Sequence, residues 1–199
     1  MRSLLRPLLL AVLALGVVAP AASAVPVRQV DAHLGALWTK VLETPSAENS
    51  FGTGGAAFGC WTLDGTVAPL GPNGIPSCTV KPGTKIFVAA STFECSTFAG
   101  DTPGVPASEE QLRNCARQND AQNAPTLTVD ATPVPVTEAQ TQLLHIVLPA
   151  GNVFGLPAGS TGTSVAHGWV ALLGPLTPGT HMIVSPALFT TTINVTPGT

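Results

Sequence analysis

The chain has no tyrosine, and only three tryptophans and seven phenylalanines in 199 residues. Rings are therefore scarce, which counts against a carbohydrate-binding face built from exposed aromatics. Charge is scarce too, at 10% Asp, Glu, Lys and Arg, and no stretch concentrates the basic residues. Without a basic stripe, nucleic acid is excluded as a partner. There is no C-x-x-C knuckle of the kind that zinc sites use, and no G-x-S-x-G elbow to expose a nucleophile around Ser160. After the first 24 residues, no apolar run approaches the roughly 20 residues needed to span a bilayer.

What is present starts with an address. Arg2 and Arg6 precede an apolar run over residues 8–18, and Ala22-Ser23-Ala24 forms an A-x-A cleavage site. This is the pattern of a secretory signal peptide, expected to be removed after Ala24. The arginines are not adjacent, so a twin-arginine route is not supported, and no cysteine follows the cut to carry a lipid. Removing residues 1–24 leaves 175 residues with six Lys and Arg against eleven Asp and Glu, a formal charge of −5. That length suits one domain with a sizeable core. The expected organisation is a leader over 1–24, an N-terminal helix and linker over 25–56, and a β-sandwich domain over 57–199.

The four cysteines, Cys60, Cys78, Cys95 and Cys115, are an even count in an exported chain and read as disulfides. Three pairings are open. Cys60–Cys78 with Cys95–Cys115 is favoured because each closes a short loop on either side of residues 84–91, an apolar and β-branched run that reads as one buried strand. Lys81-Pro82-Gly83 before that run has the chemistry of a reversal, here expected to join two strands as a hairpin.

Apolar residues at Val30, Leu34, Leu37, Trp38, Val41 and Leu42 predict an amphipathic helix ended by Pro45, with Asp31 as N-cap. Residues 45–59 read as a loop. Its G-x-G-x-x-A match, Gly52 to Ala57, is set aside because no strand precedes it and Cys60-Trp61, not a helix, follows. Residues 57–63 read as a strand and 65–76 as a turn-rich excursion. Ser108-Glu109-Glu110-Gln111 is a capping box opening a helix to about Asn119, which would present Cys115 inward. Residues 93–106 read as a loop, placing Glu94 and Asp101 there. From Pro125 onward strands and turns alternate, with Val165, His167, Trp169, Ala171 and Leu173 on one face of the most apolar strand. The expected fold is mainly β: an antiparallel β-sandwich, immunoglobulin-like or jelly roll, with an N-terminal helix and one inserted helix.

Several blocks resemble a family of secreted bacterial proteins of unassigned activity: Cys78-Thr79-Val80-Lys81-Pro82-Gly83-Thr84-Lys85-Ile86-Phe87-Val88, Glu110-Gln111-Leu112-Arg113, Leu127-Thr128-Val129-Asp130, and Gly168-Trp169-Val170 with Leu176-Thr177-Pro178-Gly179-Thr180-His181. The resemblance spans Cys60 to about Val184 and implies an immunoglobulin-like or jelly-roll sandwich and an extracytoplasmic place, not a reaction. Relatives often carry Gly after the hairpin aspartate; Ala131 stands there, so a type I′ turn is not expected.

For chemistry, the candidates are His145, His167 and His181, which with Glu94 or Asp101 would make a metal site only if their strands are neighbours. No cofactor is expected. The reading favours a secreted, disulfide-stabilised binding or cell-envelope module over an enzyme, with an extracellular or envelope protein as partner and no stable membrane insertion after signal cleavage. Residues 45–59 and 151–163 are the loops best placed for contacts. The alternative is an extracellular hydrolase or metal-dependent enzyme with its site on the sandwich loops.

Overall fold

In a computed structural model of the chain, describing residues 27–72, 74–98, 108–186 and 189–198, the fold is mainly β, with two sheets and two helices. The expected leader and Asp101 lie outside the described residues. The apolar run after Pro82-Gly83 is the first half of a twelve-residue strand, Lys85–Ser96. In chain order the elements are α1 (Val27–Leu42), β1 (Cys60–Leu63), β2 (Thr66–Pro69), β3 (Ser77–Val80), β4 (Lys85–Ser96), α2 (Glu109–Asn119), β5 (Leu127–Val129), β6 (Thr132–Val134), β7 (Thr137–Gln140), β8 (Leu144–Val147), β9 (Thr161–Leu173), β10 (Gly179–Ser185) and β11 (Phe189–Val195).

The first sheet runs β1-β2-β4-β9-β7, with β8 also paired to β9; the second runs β3-β11-β10-β5-β6. The long partners β4 and β9 form its centre, antiparallel from Ile86↔Leu173 to Ser96↔Ser164 with a bulge between Ala89 and Ser91. Within this sandwich two pairings, β2 with β4 and β3 with β11, are parallel.

Both faces of the central pair are buried, and each is covered by something different. On one face lies α1, whose Val30, Leu34, Leu37, Trp38 and Val41 pack with Phe87, Ala89, Ala166 and Val170 in one cluster. Each fully buried side chain of this size contributes about 1.5–3 kcal/mol, so the helix covers a sheet face rather than decorating it. The opposite face is shared. Ile86, Val88, Ala171 and Leu173 meet Leu127, Ile183 and Ile193 of the second sheet, while Cys95 and Val165 meet Leu112 and Ala116 of α2. The two disulfides follow this division. Cys60–Cys78 joins the first sheet to the second, with Cα atoms 5.6 Å apart, and Cys95–Cys115 joins it to α2, at 6.1 Å.

Local expectations fare unevenly. The capping box forms: Gln111 N–H donates to Ser108 Oγ at 3.2 Å, and Ser108 N–H to Gln111 Oε1 at 2.8 Å. Asp31, expected as a cap, sits inside α1 and accepts from Gln140 N–H at 3.0 Å. Lys81–Thr84 is a turn, closed by Thr84 N–H on Lys81 O at 3.2 Å with Gly83 at φ +83°, yet it makes no hairpin. Its two strands belong to different sheets, so it carries the chain across the sandwich. Residues 93–96, expected in a loop, continue β4, because pairing with β9 overrides the weak local signal around Glu94. The strand β2 lies in the expected excursion and pairs with β1 through Asp64-Gly65.

Candidate binding site at the end of the first helix

The histidines do not converge. His145 is exposed on β8, opposite Thr163 of β9. His181, on β10, points its Nδ1 at Asp130 Oδ2, 2.7 Å away, and its Nε2 at the carbonyl of Thr177, 2.8 Å away. Both partners are acceptors, so the protonated ring can donate to each. The bond to Asp130, then that to Thr177 O, raises the His181 pKa above its usual 6.5. The Met182 N–H, then His181, lowers that of Asp130 below 3.8. Asp130 also donates its own N–H to Met182 O at 2.9 Å. These bonds hold Asp130 and Ala131 at φ +50° and +63°. The left-handed two-residue turn thus forms without the glycine that the sequence pattern asks for.

His167, on β9, is buried at the seam where α2 and the second sheet meet. Nδ1 lies 2.8 Å from Asp120 Oδ2, just beyond α2, and Nε2 lies 3.0 Å from Glu138 Oε1 on β7. The side chains of His167 and Asp120 are 3% and 1% exposed, that of Glu138 57%. Ser91 donates its hydroxyl to the other oxygen of Asp120. A hydrolase would need that hydroxyl on the imidazole; here both ring nitrogens face carboxyl groups, so the cluster has the geometry of a structural hydrogen-bond network. Among the described residues no group of three or more His, Cys, Asp or Glu is arranged to hold a metal ion. Nor, among them, is any helix long and apolar enough to cross a membrane.

Glu94 lies elsewhere, on the α1 side of β4, where it accepts from Ser164 Oγ. There it lines a cavity of about 290 Å³ with Trp38, Val41, Leu42, Phe51, Thr92, Phe93, Val153 and Phe154. Three of the chain's ten aromatic residues, Trp38, Phe51 and Phe154, bring rings to this space, while Phe93, opposite His167 in the β4–β9 register, carries its ring on the other face of the sheet. Trp38 is 7% exposed and forms the buried side. Trp38 and Phe51 pack with centroids 5.5 Å apart, and a second cavity of about 200 Å³ continues past them along Ala89–Thr92 toward Phe189.

The walls are held by polar groups spent on nothing else. Trp38 Nε1–H donates to Thr92 Oγ1 at 3.0 Å, and Thr92 in turn donates to His167 O at 2.7 Å. Asn49 is fully buried; its amide donates to Val41 O at 2.6 Å and Thr44 O at 3.3 Å, and its Oδ1 accepts from Phe51 N–H at 2.9 Å. Asn152 repeats the device. It donates to Pro149 O and Leu156 O, at 2.9 and 2.7 Å, and accepts from Phe154 N–H at 3.1 Å and Leu156 N–H at 3.2 Å. In each loop a buried Asn fixes the aromatic residue two positions on, the local geometry Asn favours in turns. Ser46 N–H donates to Gly151 O at 2.7 Å, which joins the two loops directly.

The contact loops expected from sequence, 45–59 and 151–163, therefore meet at one pocket. The rings they carry were not singled out from the sequence. Asn-x-Phe at Asn49–Phe51 and Asn152–Phe154 was the available signal, and only proximity of the loops gives it meaning. No family model, curated protein or solved structure matches this chain.

Proposed function

We propose that this protein is an exported binding module of the extracellular space or cell envelope, and that its contact site is the aromatic pocket between α1, β4 and the loops around Asn49 and Asn152. The observation that carries this reading is the pair of buried asparagines, each satisfied by backbone partners that fix one pocket ring. Burying an amide is costly unless it is bonded, and a preset wall lowers the ordering cost of binding. Two disulfides support an oxidising compartment, in keeping with the leader-like first 24 residues.

Soaking crystals of the oxidised protein with a panel of small cationic, anionic, neutral polar and apolar fragments tests the reading. Density is expected against Trp38, Phe51 and Phe154. Fragments gathering at His167 and Glu138, with none between the loops, would overturn it.

A further inference from the structure

We infer that the pocket takes a small, fully alkylated ammonium group. This rests on the pocket being a ligand site, and it names the ligand's chemistry. The walls offer rings from Trp38, Phe51 and Phe154, and aromatic faces attract cations. Glu94, which accepts from Ser164 Oγ, sets a carboxylate into the wall, and among the described residues no Lys or Arg lines it. Val41 and Leu42 end α1 there, so the negative end of the helix dipole adds the same sign of field.

Hydrogen bonding narrows the class further. The lining side chains that carry donors have already committed them: Trp38 Nε1–H to Thr92, and Thr92 Oγ1–H to His167 O. A sugar or an anion would find no side-chain donor left for it. A primary ammonium has three N–H groups to satisfy, and among the described lining residues Glu94 is the one charged acceptor. A quaternary ammonium carries no N–H at all. Its methyl groups match Val41, Leu42 and Val153 while its charge faces the rings and Glu94. The volume, about 290 Å³, is at the small end for ligand pockets.

The test is calorimetric titration with choline and with 3,3-dimethylbutan-1-ol, which has the same shape without the charge. Choline is expected to bind the oxidised protein about tenfold more tightly, the order that cation–ring attraction supplies in a partly desolvated site. Glu94→Gln, checked for an unchanged melting temperature, is expected to lower that ratio while leaving the neutral alcohol's affinity as it was. Should this variant fail to fold, Phe154→Leu keeps apolar volume and removes one ring face, and is expected to weaken choline selectively. Equal affinities of the two probes for the unmutated protein would overturn the cation inference and leave the pocket standing as an apolar site. Heat from neither probe would overturn both.

Discussion

His181 and Asp130 are joined across two elements by a 2.7 Å bond from Nδ1–H to Oδ2, with the other ring nitrogen donating to Thr177 O. The His181 pKa is raised in the folded protein. Its contribution is therefore complete below the unfolded value of about 6.5 and is lost as pH rises through the higher folded value. The Asp130 pKa is lowered, so its contribution is present above an unfolded value near 3.9 and disappears as pH falls through the folded one. The latch is closed between these limits. An NMR titration should place the His181 midpoint above 6.5, and Asp130→Asn should move it down toward that value. An unchanged midpoint in the variant would contradict the pairing.

Cys95–Cys115 closes a loop of 20 residues, so replacing both by Ala should cost about 3 kcal/mol through the unfolded chain. Because this bond ties α2 alone to β4, amide exchange should accelerate in Glu109–Asn119 and change little in β10 and β11. Uniform loss of protection across both sheets would show that α2 is not a separable cover.

His167→Ala leaves the Asp120 carboxyl group, 1% exposed, with Ser91 but without its imidazole partner. Removing one partner of such a buried pair costs about 3–5 kcal/mol. Urea unfolding measures this directly, and a loss under about 1 kcal/mol would mean that water reaches Asp120.

Asn152→Ala strips partners from two amides and two carbonyls around Phe154. With the loop able to rehydrate, about 2 kcal/mol should be lost, and ligand affinity at the pocket should fall while β4–β9 exchange stays slow. Full affinity in a destabilised variant would show that the Asn holds the loop without shaping the site.

The two-sheet class, the two helices and the disulfides were legible because their signals are local: apolar periodicity for α1, Ser108 and Gln111 for α2, even cysteines at short spacing. What the sequence hid was set by tertiary contact. Thr84 to Ser91 reads as a strand, but β4 runs on through Glu94 because β9 pairs with it. Lys81-Pro82-Gly83 reads as a turn, but nothing local says that it changes sheets. Ala131 reads as unsuited to a left-handed turn, and bonds from β10 to Asp130 hold it there. The histidines drew attention as chemically versatile side chains, yet each strand takes its own to a different place. The pocket was illegible for a related reason: Trp38, Phe51 and Phe154 come from three separated segments, and only the folded chain brings them together.

The indole N–H resonances give the most direct measurement, because the three tryptophans report three places. Trp38 Nε1–H bonds Thr92 Oγ1 in the pocket, Trp61 bonds Leu70 O beneath α1, and Trp169 bonds Ala121 O beyond α2. In a titration of the oxidised protein with choline, the Trp38 signal should move saturably while those of Trp61 and Trp169 stay in place. Movement of Trp169 with Trp38 unmoved would put the binding surface elsewhere and contradict the account.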